Sequence, residues 1–216
     1  MRIDELFPPE VIDEDIRKMV GSAALGAALL ASPQIKTNDT LHHVGPSPED
    51  VKVLAQTMWG EARNLGVQGM EAVGHVIKNR ADAHHPRFGS GIKGVVLKSK
   101  QFSCWNRNDP NREEMSDMQK ISNYINRKEP PPGEKSFDDW FKKFKNSSQF
   151  PEYTAWVKAF ELAQNILTKN QNDPTSGALF YHTTKVHPDW AKGEKPIAKY
   201  GSHLFYKTAK NNSKAT

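Results

Sequence analysis

Hydrophobic positions recur at helical spacing in three separate stretches of the chain. In the first, apolar residues at 51, 54, 55 and 58 follow Ser47, Pro48 and an acid at the capping-box position, which is typical of a helix start. A second periodic stretch covers residues 67–77 and continues to Arg80. A third opens at Pro151 and has apolar residues along one side as far as Leu167. The pattern therefore predicts three well-defined helices.

The remaining sequence between residues 81 and 207 is less regular. Residues 81–103 predict loops with a short helix around 95–98. Residues 106–150 are polar and contain Pro-Pro-Pro-Gly at 130–133, which predicts an inserted, mobile segment with two amphipathic pieces at 115–125 and 137–144. Residues 178–183 and 202–207 are short and aromatic, and they predict a small two-stranded sheet. The pattern indicates an α+β fold that is mainly α, with a small C-terminal β-sheet.

The first 46 residues differ from the rest of the chain. Their apolar run, residues 19–31, is shorter than the roughly 20 residues that a membrane-spanning helix needs. It could act in export or membrane tethering, although the acidic leader before it is unusual for a signal peptide. The simpler interpretation is a small-residue helix that packs on the domain or on a partner. We therefore expect a leader with a linker over 1–46, one domain over 47–208 and a polar tail over 209–216.

Composition and charge indicate which kind of molecule the protein binds. The 216 residues include 37% hydrophobic and 25% charged side chains, and the net charge is +5. Residues 1–18 carry six acids and three bases, so the rest of the chain carries a net charge of +8. This favours contact with an anionic partner such as nucleic acid, a phospholipid surface or a cell-wall polymer. The single cysteine excludes an internal disulfide framework and a cysteine-based zinc cluster.

Glu61 is the first candidate for chemistry. On a helical wheel of about 100° per residue it lies about 80° from the centre of the apolar stripe, at the border of the buried face. Partial desolvation beside Trp59 and Gly60 would favour a protonated carboxyl that can donate a proton near neutrality. On the wheel alone, the simpler interpretation is an exposed glutamate that pairs with Arg63 or another surface base.

Four sequence blocks, which occur in order along the chain, favour a catalytic role for Glu61 over a surface ion pair. They are LAQTMWGEAR at 54–63, GVQGMEAVGHVIKNR at 66–80, GVVLKSKQFSCW at 94–105, and ALFYH at 178–182 followed by PDW at 188–190 and IAKYGSHLFY at 197–206. Together they resemble the SleB/CwlJ-type cell wall hydrolases, over roughly residues 50–105 and 152–206. The intervening 106–150 segment is longer than we expect for that family.

The resemblance implies a lysozyme-like helical domain that cuts the glycan strands of peptidoglycan between N-acetylmuramic acid and N-acetylglucosamine. It also implies that the glutamate of the Trp-Gly-Glu-Ala-Arg block, here Glu61, is the catalytic acid. No cofactor is needed for this reaction.

Most glycosidases use two carboxylates. Glu71, Asp82 and Asp109 are possible partners for Glu61, but each is more simply a surface or loop acid. A single acid suits a lytic transglycosylase, in which the C6 hydroxyl of the muramyl sugar attacks and forms a 1,6-anhydro ring. Transglycosylation and hydrolysis both remain open.

A sugar cleft should offer aromatic faces and hydrogen-bonding side chains. The candidates for substrate binding in the family-like blocks are Gln101, Phe102, Tyr181, His182 and Trp190. Phe102 and Trp190 could equally be core residues, and His182 could be a hydrogen-bonded, half-buried histidine of the sheet. Asn79 and Arg80 are expected to fix the helix end rather than contact substrate.

Cys104 suggests an alternative enzyme. The Ser-Cys-Trp at 103–105 partly matches the nucleophile block of papain-type peptidases, with histidines downstream, so a thiol peptidase acting on wall peptides is conceivable. The preceding Gln101 and Phe102 do not fit that block, and a buried thiol is the common fate of a lone cysteine.

Other classes have weaker support. The pairs His42-His43 and His84-His85 lie in loops without a metal-ligand pattern, so we predict no metal site. Scattered bases without a recognised motif argue against nucleic-acid binding, and a non-catalytic wall-binding module is the other non-enzymatic alternative. We expect a monomer that acts on peptidoglycan at the bacterial cell wall, in the periplasm or outside the cell. The lack of a normal signal peptide favours a phage-borne or otherwise delivered enzyme.

Overall fold

A computed structural model describes residues 46–168 and 172–209. Within these residues there are six α-helices and three β-strands. The helices are α1 (Pro48–Ala62), α2 (Gly66–Asp82), α3 (Gly91–Val96), α4 (Pro110–Arg127), α5 (Phe137–Lys145) and α6 (Gln149–Thr168), and the strands are β1 (Phe180–Thr183), β2 (Ala198–Tyr200) and β3 (His203–Tyr206). The predictions for the leader, the apolar run 19–31 and nearly all of the polar tail lie outside the described residues.

Helix α1 is the centre of the core, and the sequence signal for its start is confirmed. The Ser47 hydroxyl accepts the amide hydrogen of Asp50 at 3.0 Å, and Pro48 occupies the first turn, where its missing amide costs nothing. The helix packs against α2, α3 and α6. Trp59 of α1 meets Trp156 of α6 edge to face, with ring centroids 5.6 Å apart, and both rings are fully buried.

Arg63, just after α1, joins three helices. Its Nε donates to Glu152 Oε2 of α6 at 2.7 Å, and its two terminal nitrogens donate to Asn111 Oδ1 and Glu114 Oε2 of α4. The guanidinium also lies over the Trp59 ring, 4.0 Å from its centroid. The C-terminal end of α1 is thereby fixed to both neighbouring helices.

The 106–150 segment folds against the body of the protein. Its helix α4 buries Met115, Met118, Ile121 and Ile125, which recur every three or four residues and face α1 and α6. Helix α5 inserts Phe144 against aromatic rings of α6. The two amphipathic pieces predicted at 115–125 and 137–144 lie within α4 and α5, and their apolar faces pack on the rest of the domain. That the segment is an insertion stays a prediction.

The fold class is confirmed, since the described chain is mainly helical and ends in a small sheet. The sheet is antiparallel with strand order β1-β3-β2, and Tyr181 pairs with Phe205 in its register. The prediction of two strands was one strand short, because β2 has only three residues and includes the exposed Lys199. Helix α3 begins four residues earlier than predicted, and α6 begins two residues before Pro151, which the first turn of a helix tolerates. None of the described helices is both long enough and apolar enough to cross a membrane.

Candidate active site

The carboxyl group of Glu61 lies in the last turn of α1, half-buried, and receives three hydrogen bonds. Its Oε1 accepts the backbone N–H of Cys104 at 2.9 Å and the hydroxyl of Ser103 at 3.2 Å. Its Oε2 accepts the hydroxyl of Tyr181 at 3.1 Å. Helix, loop and sheet thus meet at one acid, and the simpler interpretation of a surface pair with Arg63 is not what the structure shows, because Arg63 binds other acids.

Gly60 explains how the loop comes so close to Glu61. A Cβ atom at this position would lie 2.7 Å from Cys104 Cβ, which is closer than real Cβ atoms pack, and a tight 3.1 Å from its sulfur. The glycine therefore lets the 103–105 turn rest directly on α1, which brings the Cys104 amide within reach of Glu61. Trp105 fixes the turn at its other end, since its indole Nε1 donates to Thr57 Oγ1 at 2.9 Å.

Strand β1 of the sheet positions Tyr181 beside the Glu61 carboxyl. The Tyr181 ring packs on Phe205 and His203, with centroids 5.7 and 5.2 Å away. Burial, together with the nearby charge of Glu61, raises the pKa of Tyr181 well above its ordinary value. The phenol therefore stays protonated and acts as a hydrogen-bond donor toward Glu61.

Arg80 and Asn79 fix the end of α2, as the sequence predicted. Arg80 is only 6% exposed, and it donates to the Leu179 carbonyl at 2.7 Å and to Gln101 Oε1 at 2.9 Å. Burial lowers the pKa of Arg80 to about 10, so the side chain remains a cation at neutral pH. Asn79 donates to the Ala178 carbonyl at 3.1 Å. Gln101 is thus held by Arg80, and sugar binding by Gln101 stays a prediction.

Phe102 needs a correction among the predicted substrate-binding residues. Its ring is 3% exposed and lies beneath the Arg80 guanidinium, 5.3 Å from centroid to carbon. A ring that solvent hardly reaches offers no face to a sugar, so the core alternative applies. Sequence position alone could not show which way this ring turns.

His182 lies on the face of the sheet opposite to Tyr181, because neighbouring residues of a strand point to opposite sides. Trp190, from the turn after β1, packs on this same face. Both ring nitrogens of His182 have partners, the Thr183 carbonyl and the Tyr206 hydroxyl, each at 2.9 Å. The Trp190 ring packs edge-on against His182 and Tyr206. This is the arrangement of a histidine that orients the sheet, and sugar binding by either residue stays a prediction.

Two neighbours of the site were missed by the sequence analysis. Ser103 donates directly to Glu61, and His203 packs on Tyr181. His203 is 6% exposed, burial lowers its pKa, and its Nδ1 has no hydrogen-bond partner within the described chain. The signal was available, because His203 and Phe205 alternate in β3 and so share a face with Tyr181 once the strands pair.

Cys104 contributes its backbone rather than its thiol. Its side chain is fully buried, and burial, followed by the charge of Glu61, raises the pKa of the thiol far above its ordinary value. A thiol that stays protonated is a poor nucleophile. These features argue against the thiol peptidase alternative.

Two of the three acids considered as partners for Glu61 have structural contacts of their own. Asp82 forms an ion pair with Lys78, and Asp109 caps α4 by accepting the amide of Asn111 at 2.9 Å. Glu71 is half-buried on α2. Within 46–168 and 172–209, no three histidine, cysteine, aspartate or glutamate side chains are grouped so that they could hold a metal ion.

Comparisons with known proteins identify similar chains. A family model described as Cell Wall Hydrolase matches residues 65–206, a range that begins just after Glu61. The catalytic domain of the Bacillus cereus SleB protein is 22% identical, with a TM-score of 0.45, and the match covers 76% of this chain and 94% of that one. The catalytic domain of the germination-specific lytic transglycosylase SleB from Bacillus anthracis is 23% identical, with a TM-score of 0.45 and coverages of 76% and 98%. No curated protein matches the sequence.

Proposed function

The chain belongs to the cell wall hydrolase family, and on this basis we propose that it cleaves peptidoglycan between N-acetylmuramic acid and N-acetylglucosamine, with Glu61 as the general acid and base. The observation that carries the proposal is the convergence of three donors on the Glu61 carboxyl. The site of action is the bacterial cell wall.

The first step is proton transfer from Glu61 to the oxygen that bridges the two sugars. As the proton leaves, the carboxyl becomes negatively charged, and the Cys104 amide, Ser103 hydroxyl and Tyr181 hydroxyl stabilise that charge without having to reorganise. While Glu61 is protonated, either hydroxyl can rotate and accept its proton in a hydrogen bond. The site therefore suits both forms of the acid.

The second step returns the proton. The carboxylate of Glu61 accepts a hydrogen from the group that attacks the sugar cation, either the C6 hydroxyl of the muramyl sugar or a water molecule. Because Asp82 and Asp109 are engaged elsewhere, the contacts favour a single-acid route, which suits attack by the C6 hydroxyl and an anhydro product.

Glu61→Gln tests the role of the acid. The variant keeps the size of the side chain but cannot donate the proton, so we expect a normal fold and a lytic rate lower by about a hundredfold to ten-thousandfold. Glu49→Gln is the matched control, since Glu49 lies exposed at the opposite end of α1. The measurement is the release of soluble fragments from purified peptidoglycan. Lysis by Glu61→Gln at a rate near that of the control would refute the assignment.

Mass analysis of the same digest tests the reaction. Fragments with 1,6-anhydro ends indicate transglycosylation, and fragments with reducing muramic acid ends indicate hydrolysis. Free peptides, with the glycan strand intact, would contradict the glycosidic reaction and revive the thiol peptidase alternative.

A further inference from the structure

Beside Trp105 the surface holds a cleft of about 290 Å³ lined by residues of α1 and α4, which we call the α4 cleft. Its lining includes Gln56 of α1, Trp105, and the α4 residues Arg112, Met115, Gln119 and Lys120. The volume lies just below the range for small-molecule sites, about 300–1,000 Å³, so the cleft matches a small unit such as one sugar ring.

Trp105 connects the α4 cleft, which it lines, to the turn that contacts Glu61. Trp105 directly follows Cys104, whose amide holds the carboxyl, and its indole is bonded to Thr57. Thr57 precedes Glu61 by four residues on α1, which is about 6 Å along the helix axis. A glycan strand positioned for cleavage at Glu61 can therefore place its next sugar beside Trp105.

The lining has the chemistry of a sugar site. Trp105 is partly exposed and its indole edge is fixed by Thr57, so the ring is a rigid apolar surface for the C–H face of a sugar. Gln56, only 9% exposed, and Gln119 offer amide groups for hydroxyl or N-acetyl groups.

The charge of the α4 cleft indicates which sugar it takes. Arg112 and Lys120 line it, and no carboxylate is among its lining residues. Arg112 uses one nitrogen to bind the Trp105 carbonyl at 3.1 Å, and Lys120 pairs with Asp117 at 2.8 Å. By contrast, the neighbouring cleft of about 300 Å³ is lined by Arg63 together with Glu114, Asp117 and Glu152, and α4 contributes to both. The charged residues that line the α4 cleft are therefore positive, whereas those that line its neighbour are mostly negative.

Resting on the function proposed above, we propose that the α4 cleft binds the N-acetylmuramyl sugar next to the cleaved bond and uses Arg112 and Lys120 to attract the carboxylates of its peptide. N-acetylglucosamine carries no acidic group and gains nothing from these two cations. Four of the named lining residues belong to α4, so the proposed preference depends on this helix.

Binding experiments test the proposal in the full chain carrying Glu61→Gln. The probes are two soluble glycan tetrasaccharides, one with its peptides and one from which the peptides have been removed, and the readout is the dissociation constant by calorimetry. We expect Trp105→Ala to weaken both probes by about fivefold or more, because stacking does not depend on charge. Trp105→Phe retains an aromatic ring and should fold and bind better than the alanine variant.

The charge is tested separately. Arg112→Gln combined with Lys120→Gln should weaken the peptide-bearing probe by about threefold to fivefold and leave the other unchanged. Lys142→Gln, an exposed lysine of α5, is the matched control and should change neither. Equal affinity of the starting protein for the two probes, or the same effect from the control and the charge variants, overturns the proposal. Cleavage of the probes by the Glu61→Gln protein would instead refute the proposed function.

Discussion

Replacing Gly60 with alanine tests whether the site depends on the close approach of the 103–105 turn to α1. The new Cβ would lie 2.7 Å from Cys104 Cβ, 3.1 Å from its sulfur and 3.3 Å from Met115 Sδ. The nearest of these atoms is the first atom of a side chain and cannot move without its backbone. The turn must therefore shift away from the helix.

Two opposing free energies determine the effect on stability. Alanine is favoured over glycine inside a helix by about 0.8–1.0 kcal/mol. Overpacking in a tight core costs about 1–3 kcal/mol. The free energy of unfolding should therefore fall by about 1 kcal/mol.

The effect on activity should be larger than the effect on stability. Moving the turn lengthens the 2.9 Å hydrogen bond from the Cys104 amide to Glu61. Hydrogen bonds to charged groups are worth about 1.5–3 kcal/mol, so the lytic rate should fall by about tenfold to a hundredfold. Denaturant unfolding and fragment release from peptidoglycan measure the two effects.

Gly94→Ala is the matched control, because Gly94 also lies in a helix but a Cβ there meets no atom closer than 3.8 Å. It should gain about 0.5–1 kcal/mol in stability and keep full activity. In the double variant Gly60→Ala with Cys104→Gly, the atom nearest to the new methyl is removed, so the loss of activity should be smaller than that of Gly60→Ala alone. If Gly60→Ala is as stable and as active as Gly94→Ala, the close approach does not organise the site.

Tyr181 and the two buried histidines give further tests. Tyr181→Phe removes the donor to Glu61 Oε2 but keeps the ring packing, so we expect normal unfolding and a lytic rate lower by about tenfold to a hundredfold; an unchanged rate would contradict the contact. Burial lowers the pKa of His75 and His203 below the ordinary value of 6.5, so below that pH the unfolded chain binds protons that the folded chain does not. The free energy of unfolding should therefore decrease as the pH falls from 6.5 toward the folded-state pKa values, and a flat profile from denaturant titrations in this range would be inconsistent with buried, neutral histidines.

The sequence predicted the elements whose signals are local. The Ser47 cap and the apolar periodicity located α1, and the same periodicity located α2, because each signal lies within a few residues. The β2 strand was missed because its pairing with β3 is a contact between segments and leaves little trace in three residues. The packing of α4 was underestimated because polar residues outnumber its apolar ones.

The candidate site was predictable only in part, for the same reason. A helical wheel places Glu61 at the border of the buried stripe, which agrees with its half-buried position. The meeting of Ser103, Cys104 and Tyr181 at this acid joins residues 42 to 120 positions away along the chain, and no local period encodes it. The inward turn of Phe102 likewise depends on Arg80, from another element.

The hydrogen bonds of Arg63 show which residues of α4 hold the fold together and which are free to be changed. Arg63 joins the end of α1 to α4 through Asn111 and Glu114, whereas the residues that line the α4 cleft occupy other positions of α4. We expect a library that randomises Arg112, Gln119 and Lys120 but keeps Asn111 and Glu114 to change the binding preference proposed for the α4 cleft without disturbing the contacts of Arg63. For retargeting such an enzyme to a different bacterial envelope, this helix is the part to engineer.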